Sequence, residues 1–169
     1  MQVPYRKPGK FSQIKSDPLM TQVKFAELET KLKKLKQIRP EAAKEVARLA
    51  ELGDFSENVE YQLAKGRLRG INSGILKLER QLNDAEIITP NKKTDTVQIG
   101  HTVTIECGGK LKTYQILGSS ETKPEKGIIS HNSPIGSMLL GHKVGEVVKI
   151  KVGEKDVVYK IIKIIFLTT

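Results

Sequence analysis

Two runs of apolar residues, separated by a short connection, constrain the fold of this 169-residue chain most strongly. The first run lies between Thr21 and Leu52 and comprises Phe25, Leu28, Leu32, Leu35, Ile38, Ala42, Val46 and Leu49. The second comprises Tyr61, Ala64, Leu68, Ile71, Ile75, Leu78, Leu82 and Ala85. Spacings of three and four place such side chains on one stripe of a helix. The sequence therefore predicts an antiparallel coiled-coil hairpin over residues 21–89.

The two helices of this hairpin are expected to project as an arm, because each uses its apolar stripe to bury the other. Thr21 is a candidate N-cap of the first helix. Pro40 lies inside the first pattern, and since the periodicity continues beyond it we expect a bend there and not a break. Thr89, Pro90 and Asn91 are expected to end the second helix.

A change of composition after the hairpin predicts a linker at residues 90–96 and a small domain at residues 97–169. Alternating apolar residues indicate strands at 97–106, 112–117, 127–130, 147–152 and 157–167. Gly108 and Gly109 favour a tight hairpin turn, and Ser133 followed by Pro134 predicts the start of a short helix. The predicted fold class is α+β, with the coiled-coil hairpin followed by a small antiparallel sheet carrying one short helix.

The charge of the chain is strongly basic, with a formal net charge of +10 and a pI near 9.6. Residues 1–20 carry four bases, one acid and three prolines, and we interpret them as a basic extended tail that aids solubility or contacts nucleic acid. The single cysteine cannot form an internal disulfide, so a reducing, cytoplasmic location is expected. No signal peptide is evident and no apolar run approaches the ~20 residues of a membrane span, so no membrane partner is expected.

The connection between the helices contains two acids, Asp54 and Glu57, three residues apart after Gly53. As a structural pair they match a capping box at the start of the second helix. As a functional pair they offer hard oxygen ligands suited to Mg²⁺, although two carboxylates are too few to hold the ion alone. Both interpretations are compatible, since a carboxylate has more acceptor positions than one cap uses.

Behind this acidic connection, Lys65, Arg67 and Arg69 occur in a stretch without acids between Glu60 and Glu79. The three bases form either a site for RNA phosphates or an ordinary solvated helix face. The three histidines do not fall at metal-ligand spacing, and no nucleophile is paired with a base. The protein alone is therefore not expected to be an enzyme.

Three motifs, at residues 39–41, 52–61 and 132–146, resemble in this order along the chain those of the Gre transcript-cleavage factors. Residues 52–61 resemble the family's tip pattern of glycine-aspartate, two variable residues, glutamate-asparagine and a nearby tyrosine. Residues 39–41, Arg-Pro-Glu, resemble a motif of its first helix. Residues 132–136, with Leu139, Leu140, Gly141 and residues 144–146, resemble its C-terminal motif. The resemblance covers about residues 19–166.

The resemblance implies a transcription elongation factor that stimulates cleavage of backtracked RNA by bacterial RNA polymerase. A C-terminal domain similar to the FKBP fold would dock on the rim of the polymerase secondary channel through Asn132, Ser133, Pro134, Ile135 and Gly136. The hairpin would enter the channel, where Asp54 and Glu57 help hold a Mg²⁺ shared with the polymerase active site. Asn58 and Tyr61 would support them, and Lys65, Arg67 and Arg69 would contact the extruded RNA 3′ end. The resemblance implies a monomer without a cofactor of its own, and it leaves open the A-type or B-type length of the released RNA.

Three alternatives differ in their sequence requirements. An inhibitory secondary-channel paralogue shares the fold but carries more aspartates at the tip. An FKBP-like isomerase or chaperone needs a pocket of clustered aromatic residues, whereas this domain has only Tyr114, Tyr159 and Phe166. An RNA-binding arm without cleavage activity needs bases along the arm but no acidic pair at its end.

Overall fold

The computed structural model describes residues 17–51, 59–89, 95–152 and 155–166. Two long helices, α1 (Gln22–Glu51) and α2 (Val59–Asn83), precede a five-stranded sheet and a short helix, α3 (Pro134–Leu139). Two short strands, β1 (Leu19–Met20) and β2 (Glu86–Ile87), flank the helices. The sheet consists of β3 (His101–Cys107), β4 (Lys110–Leu117), β5 (Ile128–Ser130), β6 (Val147–Val152) and β7 (Lys155–Phe166). The predicted α+β class is confirmed.

The apolar seam of the arm is confirmed by the burial of its members. All predicted seam positions are buried or half-buried except Ile38, which is 40% exposed and lies two residues before Pro40. Helix α1 continues through Pro40 without a break. Leu28 and Leu49 are buried in α1, and Ile71, Ile75 and Leu78 are buried in α2. The helices thus pack mainly against each other, as an amphipathic pair must.

The second helix ends earlier than the sequence predicted, at Asn83 and not at residues 89–91. Asparagine and aspartate at 83 and 84 compete with helical hydrogen bonding, which weakens the helix there. The backbone after them pairs with β1 in a parallel arrangement, in which the N–H of Glu86 donates to the carbonyl of Pro18 at 2.8 Å. Tertiary pairing with a distant segment therefore ends the helix.

The base of the arm is a small apolar core to which the start of the chain contributes. Met20 is 2% exposed and packs with Leu28 and Leu78. Residues 17–20, which the sequence assigned to the basic tail, are therefore part of the folded molecule. The rest of the predicted tail, residues 1–16, lies outside the described residues, as do the predicted linker positions 90–94.

The sheet has the order β5-β4-β3-β7-β6 and is mixed, which corrects the prediction of an antiparallel sheet. Strands β3 and β4 form the predicted antiparallel hairpin, with positive φ angles of 56° at Gly108 and 74° at Gly109. Strand β5 instead runs parallel to β4, because residues 118–127 cross over through two 3₁₀ turns, Ser119–Glu121 and Pro124–Lys126. Strands β6 and β7 pair antiparallel as predicted.

The core of the sheet domain lies between the sheet and α3. Its buried members are Val97, Val103, Ile105, Ile116, Ile129, Leu139, Val148, Tyr159 and Ile161. Leu139 carries the contact of α3 with this core and is fully buried. Among the helices described, none has the length and apolar character that crossing a membrane requires.

Candidate functional site

The acidic connection joins the ends of the arm that lie farthest from the sheet domain. Helix α1 begins directly after β1 and α2 ends just before β2, and these two strands pair at the base of the arm. The other ends of the helices are Glu51 and Val59. At 1.5 Å per residue, the 30 residues of α1 separate Glu51 from the base by ~45 Å. Asp54, Glu57 and Asn58 belong to residues 52–58, outside the described part of the chain.

Tyr61, Lys65 and Arg69 follow one another at intervals of four residues on α2 and therefore share one side of the helix. Tyr61 is half-buried in the seam, and the Nζ atom of Lys65 lies 5.7 Å from the centre of its ring. A cation at this distance is attracted by the ring face. Lys65 and Arg69 are exposed, so two of the three predicted RNA-contacting cations form one accessible strip near the far end.

Arg67 lies on another side of α2, because two residues correspond to about 200° of helix rotation. It lines a groove between the helices together with Glu45, Arg48 and Glu60. Arg48 donates hydrogen bonds to Glu45 from Nε at 3.1 Å and from Nη2 at 2.9 Å. These bonds lower the pKa of the Glu45 carboxyl below its ordinary value. The structure therefore separates Arg67, in an environment of mixed charge, from Lys65 and Arg69.

The C-terminal motif forms the entry to α3, and its five residues divide into two groups. Ser133 is the N-cap: its Oγ accepts a hydrogen bond from the Gly136 N–H at 3.0 Å and donates to the Ser130 carbonyl at 2.7 Å. A β-carbon at Gly136 would overlap the same carbonyl oxygen, and Ile135 packs against the sheet core. Asn132 and Pro134 are exposed. Only these last two present their side chains freely at the surface.

The histidines and the cysteine show no metal-binding arrangement among the described residues. No group of three or more His, Cys, Asp or Glu side chains in those ranges is placed to hold a metal ion. His101 is buried, and its Nδ1 accepts from the Gln98 N–H at 3.1 Å. His142 lies 2.6 Å from a carboxylate oxygen of Glu146, and this hydrogen bond lowers the pKa of Glu146.

Sequence reasoning missed a polar junction between the base of the arm and the sheet domain. Glu121 accepts two hydrogen bonds from Thr21, and Asp17 accepts one from the backbone N–H of Ser119. These partners are separated by 100 and 102 residues in the chain. No local pattern predicts such pairs, although Thr21 itself was predicted as a helix cap.

Two family models match this chain. The model described as "Transcription elongation factor, N-terminal" matches residues 18–87. The model described as "Transcription elongation factor, GreA/GreB, C-term" matches residues 91–166. The first corresponds to the arm and the second to the sheet domain, so together they span most of the chain.

Individual relatives are similar over most of their length. Transcription elongation factor GreA of Macrococcus caseolyticus is 41% identical over 134 residues, which cover 78% of this chain and 85% of the relative. The protein of the same name from Thermomicrobium roseum is 39% identical over 132 residues, with coverages of 77% and 85%. Among solved structures, the GreA factor homolog 1 (Gfh1) protein of Thermus thermophilus matches with 25% identity and a TM-score of 0.38, covering 83% of this chain and 93% of that one.

Proposed function

Because the chain belongs to the GreA/GreB family of transcription elongation factors, we propose that its arm enters the secondary channel of RNA polymerase and stimulates cleavage of backtracked RNA there. In this family the protein is an accessory factor, and the polymerase performs the chemistry. The cleaved bond is a phosphodiester near the extruded RNA 3′ end. The factor's contribution is to bring side chains to an active site that it does not itself contain.

The observation that carries this proposal is the position of the acid pair in the chain. In the sequence, Asp54 and Glu57 fall between the last residue of α1, Glu51, and the first residue of α2, Val59, and these two helix ends lie opposite the sheet domain. An antiparallel helix pair satisfies its own backbone hydrogen bonds and buries its own apolar stripe, so it can enter a channel without unfolding. Such an arm is suited to carrying charged groups over a distance of ~45 Å.

The chemistry of the pair fits a magnesium ion held mainly by the partner. Carboxylate oxygens are hard ligands of the kind that Mg²⁺ prefers, and two of them complete a site and do not create one. An ion held there by Asp54, Glu57 and groups of the polymerase would supply an activated water and charge stabilisation for phosphodiester hydrolysis. Asp54 and Glu57 would anchor it from one side, and Asn58 and Tyr61 would orient water or RNA.

Two other surfaces of the chain complete the proposed complex. Lys65 and Arg69 form an exposed cationic strip on the same side of α2 as Tyr61, suited to the phosphates of the extruded RNA. Asn132 and Pro134 are the exposed members of the C-terminal motif and would contact the rim of the channel. Docking of the sheet domain at the rim would leave the arm free to extend inward.

The deciding experiment compares Asp54→Asn with the unchanged protein on a stalled, backtracked polymerase complex, scoring short RNA fragments released from the 3′ end. Asparagine caps helices about as well as aspartate, so the melting temperature and polymerase binding should be unchanged. Loss of a ligand charge should abolish the stimulated cleavage. The control is Asp84→Asn, the same chemical change at an exposed position at the base of the arm.

Two results would contradict the proposal. If the unchanged protein releases no fragments, the chain does not stimulate cleavage. If Asp54→Asn cleaves at the unchanged rate, the acid at this position only caps the helix.

A further inference from the structure

We propose that Glu121 and Asp17 are positioning residues, which lock the base of the arm onto the sheet domain and thereby set where the far end is delivered. This inference rests on the proposed function, because it concerns how the acid pair reaches the partner's active site. Asp17 and Glu121 lie on opposite sides of the junction between the two parts of the molecule, and neither touches the reacting atoms.

Glu121 completes the cap of α1 from the sheet domain. In a capping box, the N-cap side chain accepts from the third helical N–H, and an acid at that third position accepts from the N-cap N–H. Here the Oγ1 of Thr21 accepts from the Lys24 N–H at 3.2 Å, but the third residue is a lysine and the first turn contains no acid. The Glu121 carboxylate takes the acid's place, accepting from the Thr21 N–H at 2.7 Å and from its Oγ1 at 2.6 Å.

This cross-domain cap couples the direction of α1 to the sheet domain. The carboxylate binds through both oxygens to one residue, which fixes orientation better than a single bond. It also faces the positive end of the α1 dipole, which would otherwise have no acidic partner in its first turn. Glu121 is half-buried and ends a short 3₁₀ turn that contacts β1, so its own position is constrained by the sheet domain.

Asp17 makes a second connection a few residues earlier in the chain. One of its carboxylate oxygens accepts from the Ser119 N–H at 2.7 Å and lies 3.4 Å from Nδ1 of His131. The other accepts from the Leu19 N–H at 3.1 Å, which holds the carboxylate at the start of β1. The side chain is 9% exposed. Asp17 and Glu121 thus reach across the junction in opposite directions.

Between these two connections the backbones at Gly118 and Leu19 approach so closely that only glycine fits at position 118. A β-carbon at Gly118 would overlap the carbonyl oxygen of Leu19, and the atom it would overlap is backbone. Gly118 is buried and immediately precedes the 3₁₀ turn that carries Ser119 and Glu121. We call the segments 17–21 and 118–121 together the bracket.

Because the arm is long, small movements at the bracket cause large displacements of the far end of the arm. With an arm of ~45 Å, a tilt of about 10° at the base displaces the far end by roughly 8 Å. Ligands of a metal site must be placed far more accurately, since a misplacement of about 1 Å can reduce a reaction rate ~100-fold. A loosened bracket should therefore impair cleavage without preventing the protein from binding polymerase.

The first test measures the arm's orientation directly in the full-length protein. Spin labels at Val59→Cys and Leu111→Cys, which are 69% and 66% exposed in the native protein, report the distance between the arm's far half and the sheet domain. Cys107 is replaced by serine so that only these two positions react. We expect one narrow distance distribution, broadened by Glu121→Gln, by Asp17→Asn and most by both together. Glu125→Gln, the same change at an exposed glutamate four residues from Glu121, is the matched control and should leave the distribution narrow.

The second test separates positioning from docking, using unlabelled variants on the backtracked complex. The maximal cleavage rate at saturating factor should fall about 10-fold or more in the double variant. The concentration for half-maximal stimulation should stay within about twofold, because the docking surface is intact. Thr21→Ser keeps the hydroxyl and the backbone N–H that bind Glu121. It should therefore change neither the distance distribution nor the maximal cleavage rate. Gly118→Ala tests the close contact between Gly118 and the Leu19 carbonyl independently. If this variant fails to fold, the Glu121 and Asp17 variants still test the positioning role.

The outcomes distinguish this inference from the proposed function. An unchanged distance distribution in the double variant, or a broadened one with an undiminished maximal rate, overturns the positioning role. A protein that releases no fragments even without substitution overturns the proposed function, and the distance measurement then still shows whether the bracket holds the arm.

Discussion

Two residues of the C-terminal motif, Ser133 and Gly136, are required by the fold itself, although the family resemblance implies that they dock on the polymerase. Ser133 uses its hydroxyl both to cap α3 and to hold the Ser130 carbonyl. Gly136 is needed because a side chain there would collide with the same carbonyl. The hydroxyl of Ser133 is thus engaged within the molecule, and Gly136 has no side chain to offer a partner. The contact of this motif with the channel rim remains a prediction, and its exposed side chains are those of Asn132 and Pro134.

The cationic residues of the arm lead to a prediction at the same scale. Replacing both Lys65 and Arg69 by alanine should weaken binding to the backtracked complex, because it removes two cations that face one side. If each contacts one phosphate of single-stranded RNA, the slope of log affinity against log salt should decrease in magnitude by about 1.4. The measurement is the concentration of factor that half-saturates cleavage across a salt series. Arg67→Ala is the control, since Arg67 faces a groove of mixed charge, and equal effects of both changes would contradict the assignment of the strip.

At the scale of secondary structure elements, the sequence predicted those features that depend on interactions between residues close together in the chain. The seam of the arm, the cap at Ser133 and the two-residue turn at Gly108 and Gly109 follow from spacing and backbone preference, and all three were predicted. The end of α2 and the parallel pairing of β5 were not, because each depends on a partner segment distant in the chain. The acid pair was recognised from its motif and remains a prediction, whereas Glu121 gave no local signal at all.

The glycines of α2 permit a prediction about the arm as an element. A glycine inside a helix costs about 1 kcal/mol relative to alanine, and α2 has Gly66, Gly70 and Gly74. A β-carbon added at Gly70 would meet no atom within 4 Å, whereas one at Gly74 would lie 3.0 Å from Cδ1 of Leu35. Gly70→Ala should therefore raise the free energy of unfolding by ~0.5–1 kcal/mol, and Gly74→Ala by less. Chemical denaturation followed by far-UV circular dichroism measures both, and a loss of stability at Gly70 would show that this face is covered in the folded protein.

At the scale of the whole molecule, the arm and the sheet domain are two independently packed units with separate cores. The hydrogen bonds that join them among the described residues include those accepted by two carboxylates, Asp17 and Glu121, in contrast to the apolar packing within each unit. Apolar packing responds little to pH, but a carboxylate that accepts hydrogen bonds loses them when it is protonated. The orientation of the arm should therefore be more sensitive to acid than the folding of either unit.

Asp17 gives this expectation a direction. Partial burial acts to raise the pKa of its carboxyl, but hydrogen bonds from Ser119 and Leu19, and the charge of His131, outweigh burial, so the pKa lies below the ordinary value of 3.8. A depressed pKa means that Asp17 stabilises the junction fully above pH values near 3.8 and that this contribution is lost as the pH falls through the lower folded value.

The distance distribution between labels at positions 59 and 111 should stay narrow from neutral pH down to about 5 and broaden below about 4. The informative quantity is the difference between the profiles of the variant and the unsubstituted protein. Asp17→Asn should be broadened already at neutral pH and should change less on acidification, whereas Glu125→Gln should follow the unsubstituted protein. If Asp17→Asn and the unsubstituted protein have the same profile throughout, the Asp17 carboxylate does not hold the junction.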